Sequence, residues 1–127
     1  MSSRNLLQDL KATILDLISD LKNNVFTLED EKGDLMVVEF FFKRLNPESL
    51  MQHVISHIIP WKDKIENKDQ NFFLENKNIF KGLPEDRLTH YGQIIAKSER
   101  VDEEDKKVIW DYFNIIVEIA EIYKKNK

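Results

Sequence analysis

Residues 25–45 read VFTLEDEKGDLMVVEFFFKRL, and the fold class turns on whether this stretch is a β-hairpin or a helix. By propensity it suits a hairpin, because β-branched and aromatic residues flank a polar turn that contains Gly33. By its ends it suits a helix. Thr27 precedes the acids Glu29, Asp30 and Glu31, and the bases Lys43 and Arg44 lie at the far end, each matching the helix pole beside it. A glycine inside such a helix costs about 1 kcal/mol, or marks a break. Two strands alone make a marginal sheet in a chain whose other segments read as helices. The helical reading is therefore preferred, over about Asp34 to Leu45.

Upstream, Leu6, Leu7, Leu10, Ile14, Leu17, Ile18, Leu21 and Val25 recur three and four apart, with Asp9, Asp16, Asp20 and Asn23 opposite. This pattern predicts an amphipathic helix over 1–24, capped by Ser2 or Ser3. Leu7, Leu10, Ile14, Leu17 and Leu21 also fit the a and d positions of a heptad, but three heptads are short for a coiled coil and the stripe is wider than a two-stranded seam. A bundle helix is therefore preferred, and a self-pairing oligomerisation element is the alternative.

Downstream, Asn46-Pro47-Glu48 combines an Asx cap, a proline at the first helical position and an acid in the first turn. Leu50, Met51, Val54, Ile55, Ile58, Trp61 and Ile65 continue one face. A kink is expected at Pro60, which lacks a donor and crowds the carbonyl of Ser56. Asn71 to Leu74 reads as a short aromatic turn, and 76–83 as a connection. Leu88, Tyr91, Ile94 and Ile95 mark a further helix starting at Pro84.

The last helix has Asp102 as its cap, Asp105 three residues on, and Lys124–Lys125 at its far end. Twelve apolar residues between Val108 and Tyr123 leave only the narrow polar strip Asp111, Asn114, Glu118, Glu121. A helix this apolar belongs in the middle of a bundle. The expected architecture is all-α: one domain over 1–127, five or six helices, and a central, largely buried C-terminal helix.

Composition excludes several functions. A mass of 15.1 kDa implies a folded surface of roughly 7,000 Å² against about 22,000 Å² unfolded, enough for a real core. The absence of cysteine removes disulfides, thiol nucleophiles, cysteine-zinc sites and iron–sulfur clusters. Three glycines leave no phosphate-cradling loop. The run Leu35 to Phe42 is broken by Glu39 and is far shorter than the ~20 residues that span a bilayer. MSSRNLLQDL carries Asp9 and no continuous apolar stretch, so a secreted protein is not expected. A net charge of −4 argues against nucleic acid as partner. The one cationic cluster, Lys124, Lys125 and Lys127, complements a helix C-terminus.

Candidate chemistry is sparse. His53 and His57 have the spacing that brings two imidazoles to one metal, yet Val54 stands where a zinc protease needs Glu and no third ligand is in register. Packing at the edge of the apolar face is the better account. The strip Asp111, Asn114, Glu118, Glu121 reads as a solvated face, with Glu121 four residues from Lys125. No catalytic, cofactor-binding or metal-ligating residue is assigned. The best hint of function is Phe40-Phe41-Phe42, with Phe72-Phe73 beside it in interest. Three consecutive rings on a helix point about 100° apart, so either the helix is enclosed on all sides or one ring anchors a partner.

Two pieces carry a resemblance: NFFLENKNIFKGLPEDR (71–87) and EEDKKVIWDYF (103–113). With their surroundings, about 34–125, they resemble a family of small helical proteins encoded by nucleocytoplasmic large DNA viruses, the giant viruses of protists and algae. The resemblance implies a helical fold and a viral origin, and brings no catalytic residues. The expectation is a non-enzymatic protein–protein interaction protein, a small virion component or an infection accessory, with no cofactor. It would act in the host cytoplasm, the viral factory or the particle. Its partner would be a viral or host protein, or a second copy, met through Phe40, Phe41, Phe42, Leu7, Leu10, Ile14 and Leu17. The alternative is an accessory factor for viral transcription or replication that contacts nucleic acid.

Overall fold

Helix ends are set by caps. Asn46 accepts the Ser49 N–H at 2.7 Å through Oδ1, and Asp102 accepts the Asp105 N–H at 2.8 Å, each satisfying a donor the helix leaves open. At 29–31 no side chain precedes the helix as cap. Instead Glu31 folds back to accept the Leu28 N–H at 3.3 Å, with Glu29 and Asp30 beside it at the positive pole.

The computed structural model describes residues 3–76 and 82–126, and every regular element among them is helical. In order these are α1 (Ser3–Asn24), α2 (Glu29–Arg44), α3 (Pro47–His57), a 3₁₀ turn (Ile59–Trp61), α4 (Lys62–Glu66), α5 (Asn71–Glu75), α6 (Glu85–Lys97) and α7 (Glu103–Lys125). Five of them run eleven residues or more, as the all-α reading expected. Ser2, Lys127 and most of the 76–83 connection lie outside the described residues.

α1 and α2 form an antiparallel hairpin. Lys22 of α1 meets Glu39 of α2 at 3.6 Å. At the hairpin's open end the Lys11 ammonium donates to the carbonyls of Lys43 and Leu45, both at 2.8 Å, closing the C-terminus of α2. α1 also packs on α3 and α7, while α7 also touches α3, the 3₁₀ turn and α4. The accessible surface is 7122 Å², close to that expected for one domain of this mass.

Three expectations need correction. α2 starts at Glu29 rather than about Asp34, and runs straight through Gly33. Gly33 is exposed and its open side meets nothing, so its cost is propensity alone. The helix at 47–65 breaks at Pro60 instead of kinking: α3 stops at His57, and Pro60 sits in the first turn of the 3₁₀ segment, where no donor is required. Pro84 caps α6 rather than occupying its first turn. Ahead of it Gly82 has φ +104, a conformation that excludes a side chain, and packs on Phe41.

The C-terminal helix is less buried than its composition suggests. Ile109, Trp110, Phe113, Ile116, Val117, Ala120 and Tyr123 are inside, while Val108 and Ile115 are exposed. α1 shares the centre with it: Leu6, Leu10, Ile14, Leu17, Ile18 and Leu21 are all buried. Phe72 and Phe73 on α5 are buried against Trp110 and Phe113, with centroids 4.7–6.2 Å apart.

Candidate interaction surface

α2 has two unlike faces. Inward it buries Leu35, Val38 and Phe42, and one acid, Glu31. A buried carboxylate is tolerated only when paired and hydrogen-bonded. Arg100, in the turn between α6 and α7, grips Glu31 with both arms: Nη1 to Oε2 at 2.8 Å and Nη2 to Oε1 at 2.6 Å. Arg100 Nη2 also donates to the Val25 carbonyl at 3.2 Å, and His90 Nε2 lies 3.8 Å from Glu31. The Arg100 hydrogen bonds, opposed by burial, hold the Glu31 carboxyl below the usual carboxylate range.

One turn on, Asp34 accepts from Arg87 Nε at 2.8 Å and from the Tyr91 hydroxyl at 2.6 Å. Burial first, and then Asp34, push the Tyr91 phenol above its ordinary value. The Tyr91 ring is fully buried and meets Phe26 edge-on at 4.8 Å. This network clamps α6 and the α6–α7 turn to the head of α2. Its carboxylates are engaged by fixed cations and donors, which suits a strut rather than a proton carrier.

The outward face is the reverse. Phe40 is 60 % exposed, Met36 58 % and Val37 48 %, three large apolar side chains within five residues of one helix. Gly33 lies one turn before them and the Arg44 guanidinium lies 5.3 Å from the Phe40 centroid. Val108 and Ile115 on α7 are the other exposed aliphatic residues of a long helix, but Asp111 and Glu118 stand among them at the surface.

Of the residues singled out in the sequence, the heptad positions Leu10, Ile14 and Leu17 lie in the chain's own core, with Phe42. This agrees with the bundle-helix reading of α1 over the self-pairing alternative, because α2, α3 and α7 already cover its apolar arc. Leu7 and Phe41 are partly buried against that core. Of the three consecutive phenylalanines, Phe40 alone presents its ring to solvent. The three rings thus divide into one inside, one at the boundary over Gly82, and one out. Sequence reading missed the contribution of Met36 and Val37; their spacing from Phe40 and from the buried Leu35 and Val38 carried the signal.

The other candidates are structural. The His53 and His57 rings lie 4.8 Å apart, tilted by 49° to one another, and His53 meets Phe42 edge-on at 6.1 Å. Among the described residues no group of three or more His, Asp or Glu is arranged to hold a metal ion. Glu121 pairs with Lys62 of α4 at 3.1 Å, an inter-helix bond in place of the expected one to Lys125. Between the end of α1 and the start of α7, a cleft is lined by Asp20, Asp102, Glu104 and Asp105, a surface that repels phosphates. Among the described residues no helix is long and apolar enough to cross a membrane. Comparison with protein-family models, curated proteins and solved structures gives no significant match to this chain.

Proposed function

We propose that the chain is a non-enzymatic protein–protein interaction protein of a large DNA virus, a small virion component or an infection accessory, which engages a protein through the outer face of α2. The exposure of Phe40 beside Met36 and Val37 carries this reading. Burying these side chains costs a partner little desolvation, and an aromatic anchor on a rigid helix loses little entropy on binding. The engaged state of Glu31 and Asp34 adds support for a role without acid–base chemistry. The viral setting, in host cytoplasm, viral factory or particle, rests on the resemblance carried by residues 71–87 and 103–113. The acidic cleft at Asp20, Asp102, Glu104 and Asp105 weighs against the nucleic-acid alternative.

The test is capture by the tagged chain from infected or host lysate, with and without nuclease, beside Phe40→Asp. A stoichiometric protein that survives nuclease and is lost with Phe40→Asp is the expected result. Binding that disappears on nuclease treatment would replace this reading with the nucleic-acid one.

A further inference from the structure

The outer face of α2 is complementary to itself. At 100° per residue Glu29, Gly33, Phe40 and Arg44 fall within an arc of about 60°, opposite the buried Leu35, Val38 and Phe42, with Met36 and Val37 flanking the line. Gly33 is a gap, with nothing within 4 Å of the point a Cβ would occupy. Phe40, seven residues on, is a projection. The first turn is acidic at Glu29 and the last is basic at Lys43 and Arg44.

Let a second α2 lie antiparallel across the first, about a two-fold axis between Met36 and Val37. Each Phe40 then comes opposite the other copy's Gly33, each Glu29 opposite the other's Arg44, and Met36 opposite Val37. The two helix dipoles oppose one another, which also favours this direction. A parallel pairing would set acid on acid and base on base. Ring meets gap and charge meets counter-charge only in the antiparallel register.

Resting on the interaction reading above, we propose that the occupant of this face is a second copy of the chain, docked α2 to α2 as an antiparallel two-fold dimer. Met36, Val37 and Phe40 offer roughly 300 Å² per copy, well under the about 800 Å² that each partner gives to a standard interface. The dimer is therefore transient and forms only at high protein concentration.

Sedimentation equilibrium between about 1 µM and 1 mM tests this. The wild-type chain should approach a dimer and go no further. Gly33→Arg fills the gap and improves helix propensity, so it should weaken association about tenfold or more while leaving the thermal midpoint at or above that of the wild type. Arg44→Glu should weaken association, and adding Glu29→Lys to the same chain should restore it. A wild-type chain that stays monomeric at about 1 mM, or a dimer indifferent to Gly33→Arg and Arg44→Glu, overturns the proposal. If the chain is monomeric while Phe40→Asp still abolishes capture of another protein, the dimer falls and the interaction reading stands. If Phe40→Asp changes neither, both fall.

Discussion

Gly33 and Gly92 both sit inside helices, yet alanine acts with opposite sign at the two positions. A Cβ at Gly33 meets nothing, so Gly33→Ala should gain up to about 1 kcal/mol of helix propensity, seen as a rise of roughly 4 °C in the thermal midpoint. A Cβ at Gly92 would collide with the carbonyl oxygen of Phe73, a backbone atom that cannot swing aside. Gly92→Ala should therefore cost about 2–3 kcal/mol by forcing α5 and α6 apart, measurable by urea unfolding. Glu31 supplies a third case. Its folded pKa is depressed by Arg100, so the stability it contributes is full above the unfolded glutamate value and is lost as pH falls through the folded one. Below about pH 4.5 the wild type should lose stability more steeply than Glu31→Gln. Arg100→Met strips the buried Glu31 carboxylate of its guanidinium partner and should cost about 3 kcal/mol at neutral pH.

At the scale of elements, the sequence was legible wherever the signal is local. The caps Asn46 and Asp102 are local, and both helices begin where they say. The start of α2 was misplaced because Gly33 reads as punctuation, whereas its cost is one propensity increment against a strongly acidic first turn. The break at Pro60 was legible as a disturbance but not as a full stop, since the 3₁₀ turn that absorbs the ring depends on how α4 packs after it. The clamp on α2 was out of reach: Glu31 and Arg100 are 69 residues apart, Asp34 and Tyr91 57, and no periodicity links them. Packing between elements was equally hidden. An apolar cavity of about 40 Å³, lined by Ile14, Ile18, Phe42, Val54 and Phe113 among others, lies where α1, α2, α3 and α7 converge. Val54→Ile adds one methyl group at this site and should stabilise by about 1 kcal/mol, checked by the same urea curves.

For the whole molecule, the division of labour falls along α2. One side is locked into the bundle by Leu35, Val38, Phe42 and the buried Glu31 held by Arg100, and the other faces solvent with Met36, Val37 and Phe40. A surface held this rigidly presents its anchor already ordered, which lowers the entropic cost of docking. The candidate site was half legible: the run of three phenylalanines announced a surplus ring, but not that Phe40 was the one, because which ring is enclosed depends on the placement of α1 and Gly82. The most direct measurement places a photo-crosslinking phenylalanine analogue at position 40, and separately at position 115 on α7, in otherwise native protein. Adducts formed in lysate or with the chain itself from position 40, and not from position 115, are the predicted result. Adducts from position 115 with none from position 40 would contradict the assignment of α2 as the face that binds.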